Sequence, residues 1–193
     1  MPTIDATVGS ALANSYETLA EAATYFDERI PISPPWIASG DAAARALITA
    51  TRQLDAYAQP VRLYMQGNGG QPGYFMVRRQ WTGTPASATQ RLAWPRVGMF
   101  DRNGNAIPST VIPQELKDAE SEFAGQLLKT DTTLNLDQVT QGIRSVSAGS
   151  VSVSFKDTII PQVVPDAVLN MMPPSWFTED VVEGSQKADF EVI

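Results

Sequence analysis

Two adjacent arginines and a nearby tryptophan form the group of residues with the clearest chemical potential. Arg78 and Arg79 come just before Trp81, and Arg62 lies in the preceding apolar stretch. Guanidinium groups bind phosphate, and an aromatic ring can stack on an unpaired base. These four residues are therefore a candidate contact for a partner or for DNA. On this pattern we favour a simpler interpretation, in which the arginines pair with acids of another subunit, because single-strand binders usually carry several aromatic residues along a basic groove.

Charge is distributed unevenly along the 193 residues. The net charge is -7, which argues against a general nucleic-acid coat, because such proteins neutralise phosphates with basic residues. Residues 60–102 nevertheless hold six arginines and one acidic residue, whereas the remainder holds 8 basic and 20 acidic residues. This asymmetry is typical of a protein that meets a charged surface on one side only.

Histidine and cysteine are both missing from the sequence. Their absence removes the usual general base near neutral pH, the Ser-His-Asp triad, the thiolate nucleophile and the commonest zinc ligands. Acid pairs such as Glu120 and Glu122 remain, but residues two apart face different sides of a helix, and the pattern places them on a solvated face. We therefore predict that the protein is not an enzyme and uses no cofactor and no metal.

One short motif begins like a calcium-binding loop. Asp101, Asn103 and Asn105 match its first three ligand positions. The match then fails, because Ala106 stands where the loop needs glycine and Ile112 where it needs a bidentate glutamate. The segment is predicted to be a plain turn.

Three helices are predicted from apolar spacing and terminal residues. The first covers 13–29, with Asn14 as its cap and Glu17 in the capping-box position. The second starts at residue 39 or 41 and runs to about 58, and we expect it to pair antiparallel with the first. The third opens at Ile112-Pro113, with proline at the first helical position.

Strand patterns occur in two segments. Residues 60–81 contain two short apolar stretches around a glycine-rich centre, which predicts a hairpin or a long inserted loop whose tip is mobile. Residues 143–155 alternate around Ala148-Gly149-Ser150, which predicts a β-hairpin with one apolar face. A short helix is expected at 165–172, and the acidic residues beyond 179 cannot form a core alone.

Together these elements predict a mainly α protein: a small helical bundle of three to four helices with a β-hairpin, a long inserted loop and an extended C-terminal arm. We expect residues 1–160 to form the helical domain and residues 161–193 to form the arm. The N-terminus lacks the features of a signal peptide, and no stretch is long enough for a membrane helix. We therefore expect a protein with no membrane partner, made in the cytosol and used there or packaged from it.

Three sequence blocks stand out by their order and spacing: Asn14–Ala22, Arg91–Gly98 and Ile112–Ala119. The second block contains the distinctive run Leu92, Ala93, Trp94, Pro95 and Arg96. Taken together, the blocks resemble a family of tailed-bacteriophage proteins known as head-to-tail connector, adaptor or neck proteins. Some members of that family carry the label DnaT-like single-stranded-DNA-binding protein. The resemblance covers residues 10–155.

The resemblance implies a structural role without catalytic residues. It implies a helical adaptor that forms a homo-oligomeric ring, typically of about twelve copies, beneath the portal protein in the neck of the virion. Such a ring extends the channel, through which DNA passes without sequence-specific contact, and docks the tail or a tail-terminator or stopper protein. This sequence departs from the family pattern in the insertion at 59–80 and in its acidic C-terminus, both of which are candidate contacts to portal, tail or neighbouring subunits.

The sequence supports two functional predictions. The primary prediction is a structural head-to-tail adaptor of a tailed phage, made in the host cytoplasm and located at the head-to-tail junction of the virion. The alternative is a single-stranded-DNA-binding replication protein, motivated by the basic segment 60–102 and by the second family label.

Overall fold

The computed structural model describes residues 2–32, 35–36, 39–58, 60–66, 72–129, 145–148, 151–154 and 163–183. Its helices in these ranges are α1 (Leu19–Glu28), α2 (Asp41–Tyr57), α3 (Gln114–Lys129), the short α4 (Asp166–Leu169) and one 3-10 turn (Pro174–Trp176). Its strands are β1 (Pro60–Gln66), β2 (Pro72–Trp81), β3 (Thr84–Pro85), β4 (Arg96–Val97), β5 (Ser145–Ala148), β6 (Val151–Ser154) and β7 (Phe177–Glu183).

Helix α1 begins later than the sequence pattern predicts. Thr18 is its N-cap, and Thr18 and Glu21 form a complete capping box. Asn14, the expected cap, instead accepts a hydrogen bond from Asp5 N at 2.9 Å and donates one to Thr3 O at 2.9 Å. The prediction of a helix from residue 13 was therefore wrong at its start, because the side chain of Asn14 is engaged by the N-terminal segment.

Helices α2 and α3 form the centre of the core. The buried side of α2 contains small residues and two leucines, and α3 presents Leu116, Ala119 and Phe123 as predicted. α2 packs chiefly against α3 rather than against α1 as expected, and α1 also packs on α3. Gly125 of α3 permits this packing, because a Cβ at that position would lie 2.9 Å from the ring of Phe26 in α1.

Three tryptophans join the helical core to the strands. Trp94 lies 4.7 Å from Trp176 and 5.8 Å from Trp81, measured between ring centroids. The indole nitrogen of Trp176 donates a hydrogen bond to Phe100 O at 2.8 Å. The cluster therefore holds together the end of β2, the loop before β4 and the segment before β7.

The C-terminal segment is partly core, whereas the sequence suggested an arm. Val164, Val168, Met172 and Trp176 are all buried. Strand β7 then pairs antiparallel with β2 to complete a sheet of order β1-β2-β7. Burial of these apolar side chains explains the difference from an extended arm, since each buried side chain of this size contributes about 1.5–3 kcal/mol. Residues 184–193 lie outside the described residues.

The mainly α fold class is confirmed, and so are several of its local predictions. β1 and β2 pair antiparallel as predicted for a hairpin, β5 and β6 pair in the same way, and Asp101 organises the predicted turn by accepting hydrogen bonds from Asn103 N and Asn105 N at 2.8 Å each. The expected mobile tip of the first hairpin and the turn of the second at 149–150 lie outside the described residues.

Candidate nucleic-acid interface

The three predicted contact arginines lie on the hairpin of β1 and β2. Arg62 of β1 is opposite Met76 of β2. On its other side β2 pairs with β7, which places Arg78 opposite Asp180 and Arg79 opposite Glu179. The structure therefore brings the three arginines into one sheet, with β2 at its centre.

The two faces of this sheet are distinguished at its base, where β2 ends. Trp81 and Phe177 are opposed in register, and their rings pack on each other with centroids 4.5 Å apart. Gln80 and Thr178 form the preceding register pair, and both are exposed. Because successive strand residues alternate between faces, Arg79 belongs to the face of Trp81, whereas position 78 belongs to the face of Gln80.

Charge is separated between the strands. β1 and β2 together contain three arginines and no acidic residue, whereas β7 contains Glu179, Asp180 and Glu183. Opposite charges at directly opposed positions stabilise antiparallel pairing by roughly 0.2–1 kcal/mol each. The register thus places positions 78 and 79 opposite acidic residues of the same chain, whereas the sequence suggested acids of another subunit.

Trp81 is not placed for stacking on a base. Its side chain is buried with 8% exposure, and its ring packs edge-on against Trp94 at 5.8 Å. A stacking platform needs an exposed ring face. Trp81 is therefore a core residue, which corrects its assignment as a candidate contact beside Arg78 and Arg79.

Arg96 of the predicted structural motif is buried and makes several hydrogen bonds. Its guanidinium donates four hydrogen bonds of 2.7–3.3 Å to the backbone carbonyls of Trp81, Thr82, Gly83 and Ala93. Burial lowers the pKa of Arg96. The four hydrogen bonds of this side chain hold the end of β2 against β4, so the guanidinium group is not available to bind phosphate.

The other residues of the run 92–96 also have structural positions. Trp94 is buried, and the Trp94–Pro95 peptide bond is cis. Ala93 N donates to Asp55 Oδ2 of α2 at 3.1 Å, and Leu92 packs on the core as a partly buried side chain. The run therefore connects α2 to the sheet.

Arg102 is engaged as well. Its Nη2 donates to Asn170 O at 2.8 Å and to Met171 O at 2.6 Å, where the chain leaves α4. Arg91, like Arg102, is exposed. The local excess of basic charge in 60–102 therefore includes two arginines, Arg96 and Arg102, whose guanidinium groups stabilise the fold.

Sequence reasoning missed a cluster of buried carboxyl groups that includes Glu120 of α3. Glu120 is fully buried, and its carboxyl accepts hydrogen bonds from Ser15 Oγ at 2.7 Å, from Tyr16 N at 3.0 Å and from Thr51 Oγ1. Glu17 is 2% exposed and accepts from Ser121 Oγ. The placement of Glu120 on a solvated face was wrong.

Burial dominates the protonation of this cluster. It raises the pKa of Glu120 to about 8 and that of Glu17 to about 9, where the neighbouring carboxyl of Glu120 adds to the shift. Burial also raises the pKa of Asp55 to about 6. These acids are held by hydrogen bonds inside the protein, so we assign them a structural role.

In the part of the chain that the structure describes, no group of three histidine, cysteine or acidic side chains is placed to hold a metal ion. No helix there combines the length and apolar character needed to cross a membrane.

Comparison with protein families gives a match over much of the chain. The family model described as "Putative DnaT-like ssDNA binding protein" matches residues 73–185, more than half of the chain. The chain belongs to this family. Comparison with curated proteins and with solved structures gives no match.

The part matched by the DnaT-like family model has defined limits in the fold. It begins in β2 and ends just beyond β7, two strands that pair with each other. It includes Arg78, Arg79 and the run 92–96, and it leaves out α1, α2 and β1. The DnaT-like part of the resemblance is thereby confirmed, whereas the connector part stays a prediction.

Proposed function

We propose that this protein binds single-stranded DNA through the hairpin of β1 and β2, and that it acts by binding rather than by catalysis. The observation that carries the proposal is membership of the putative DnaT-like single-stranded-DNA-binding family over residues 73–185. The phage adaptor, which was the function first favoured from the sequence, has less support, because no comparison with known proteins points to it.

The charge distribution supports this surface. The hairpin carries Arg62, Arg78 and Arg79 without an acidic residue, while the whole chain has a net charge of -7. Phosphates of a single strand would therefore be attracted to the hairpin and repelled by much of the remaining surface. Binding of this kind depends strongly on salt, because cationic side chains displace the counterions of DNA.

Base stacking on this surface must come from tyrosine or phenylalanine. All four tryptophans of the chain are buried in the core. The hairpin itself contains Tyr64, Tyr74 and Phe75. It thus combines aromatic and basic residues, the combination used for sequence-tolerant single-strand binding.

The test is the affinity for labelled oligo(dT), measured by fluorescence anisotropy at several salt concentrations. We expect wild type to bind with an affinity that falls as salt rises, and Arg78→Ala/Arg79→Ala to bind at least tenfold more weakly. A matched control is Arg45→Ala/Arg52→Ala, which removes the same charge from exposed positions of α2. Failure of wild type to bind at low salt refutes the proposal.

The second candidate function is the head-to-tail adaptor at the neck of a phage virion, with a ring of this chain between portal and tail. Its support is the resemblance of the three blocks together with their contact in the fold. Glu21 and Lys117 of two blocks form an ion pair of 2.5 Å. Tyr16, Trp94 and Ile112, one from each block, line a common small cavity. The blocks therefore form one structural unit, as expected for residues that maintain a shared fold.

Solution mass tests the adaptor. Light scattering after size exclusion should give a discrete species several times the 20.9 kDa of one chain, or a complex when a portal ring is added. A monomer at every concentration, both alone and with portal, contradicts this candidate.

A further inference from the structure

We propose that single-stranded DNA binds one particular face of the β1-β2-β7 sheet, here called the tyrosine face, in which two tyrosines stack on bases and two arginines bind phosphate. The inference deepens the proposed single-strand binding and rests on it. The tyrosine face includes, at alternating positions, the residues Arg62, Tyr64, Tyr74, Arg78, Gln80 and Asp180.

The exposed side of the sheet is established at its base. Gln80 and Thr178 are paired across β2 and β7, and both are exposed. Side chains two positions apart along a strand share a face. Counting back from Gln80 along β2 therefore places positions 78 and 74 on the same face of the sheet as Gln80.

The opposite face has a different character. It begins with the buried Trp81 and its partner Phe177, and Arg79 belongs to it. Its other positions on β1 and β2 carry apolar residues or glycine: Val61, Leu63, Met65, Gly73, Phe75 and Val77. This composition suits a face turned toward the core, and the two neighbouring arginines, Arg78 and Arg79, belong to opposite faces of the sheet.

Register places the stacking and charged residues of the tyrosine face side by side. Tyr64 and Tyr74 are directly opposed. Arg62 lies two residues from Tyr64, and Arg78 lies four residues from Tyr74 on the central strand. An aromatic pair followed by basic residues matches the chemistry of a single strand, in which bases stack and the backbone carries the charge.

Asp180 belongs to the same face and lies opposite Arg78. Its carboxylate carries the same charge as a DNA phosphate, so it competes with DNA for the neighbourhood of Arg78. Glu179 is one position away and belongs to the other face. Asp180 of β7 therefore weakens DNA binding at Arg78, whereas Glu179 leaves DNA binding unaffected.

Two matched pairs of single substitutions in the full chain test the assignment of faces. Arg78→Gln should weaken oligo(dT) binding roughly tenfold and lower the salt slope by about 0.7, the value for one phosphate contact on a single strand, whereas Arg79→Gln should change neither. Asp180→Asn should tighten binding several-fold, whereas Glu179→Gln should leave it unchanged. Thermal unfolding of all four variants checks that each is folded.

The tyrosines have a test that separates stacking from folding. Tyr64→Phe/Tyr74→Phe retains both rings and should bind like wild type. Tyr64→Ser/Tyr74→Ser removes them and should bind at least tenfold more weakly, because one base–aromatic contact already accounts for about that factor.

The results distinguish failure of this inference from failure of the proposed function. If wild type binds but substitutions at 78 and 79 have equal effects, or if the serine variant binds as well as the phenylalanine variant, the tyrosine face is wrong while single-strand binding stands. If wild type does not bind oligo(dT) at low salt, both are overturned.

Discussion

At the scale of single residues, the carboxyl of Glu120 makes the stability of the protein depend on pH. Its pKa is raised from 4.5 to about 8 in the folded state, so the folded protein retains a proton that the unfolded chain releases. The free energy of unfolding must then fall as pH rises between about 4.5 and about 8, by at most about 1.4 kcal/mol per pH unit for this group. Glu17, whose pKa is about 9, acts in the same direction.

The substitution Glu120→Gln tests this dependence. It cannot ionise, so the decline in unfolding free energy from pH 5 to pH 9 should be shallower than in wild type. Urea unfolding at each pH measures the slope. Glu115→Gln, at a less buried position of the same helix, is the control for the chemical change and should keep the wild-type slope. An unchanged slope in Glu120→Gln would show that Glu120 is already charged in the fold.

Arg96 gives a second prediction at this scale. Arg96→Lys keeps the charge but cannot reach all four carbonyls that the guanidinium serves. A buried carbonyl left without a donor costs roughly 1–3 kcal/mol, so the variant should lose at least that much stability in chemical denaturation. The same change at the exposed Arg91 should have little effect. Equal losses at the two positions would contradict the structural role of Arg96.

Single residues were predictable where the pattern around them was distinctive. The run 92–96 was identified from sequence as structural, and Trp94 and Arg96 occupy buried positions. Glu120 was missed although a signal existed. It belongs to the inward stripe of α3 with the spacing i, i+3, i+4, i+7 and i+8: Leu116, Ala119, Glu120, Phe123 and Ala124. Glu120 was predicted to face solvent because it is charged and buried glutamates are rare. Its position in the apolar stripe indicated burial instead.

At the scale of elements, the start of α1 is stabilised by its cap. Thr18 Oγ1 accepts from Glu21 N, and the Glu21 side chain accepts from Thr18 N at 2.8 Å. Thr18→Ala should therefore destabilise the protein by about 1 kcal/mol. Thr24→Ala, an exposed position inside the same helix, should be neutral or slightly stabilising because alanine favours helix. Thermal unfolding compares the two, and the reverse order would contradict the cap assignment.

Elements with strong periodicity were predicted well, and their ends less well. α2 lies within its predicted range, and α3 begins just after its predicted start, since each has a long apolar stripe. For α1, two sites with the same Asx/Thr-x-x-Glu spacing were available, at Asn14 and at Thr18. The choice between them depends on Asp5, which bonds to Asn14. Local sequence does not contain that tertiary contact.

At the scale of the whole molecule, the C-terminal segment should behave as part of the core. Val168 of α4 is completely buried, whereas Val111 is 43% exposed. Val168→Ala should lower the free energy of unfolding by roughly 1–3 kcal/mol, because it removes buried methyl groups and leaves a cavity. Val111→Ala should change it by less than about 0.5 kcal/mol. A neutral Val168→Ala would instead favour the extended C-terminal arm expected from sequence.

The pairing of β2 with β7 could not be predicted from local patterns, because about a hundred residues separate the two strands along the chain. Complementary charge was the available signal. Arg78 and Arg79 are adjacent in one strand, and Glu179 and Asp180 are adjacent in the other. The last residues of the chain are acidic, but no local sequence pattern connects them with the basic hairpin.

The most direct test of the central claim is the affinity of the purified full chain for oligo(dT) from about 50 to about 200 mM salt. Single-strand binding through the hairpin predicts a linear fall of the logarithm of affinity with the logarithm of salt concentration, and a smaller slope when Arg78 is replaced by glutamine. No binding at the lowest salt, or binding whose salt slope is unchanged by Arg78→Gln/Arg79→Gln, would contradict it.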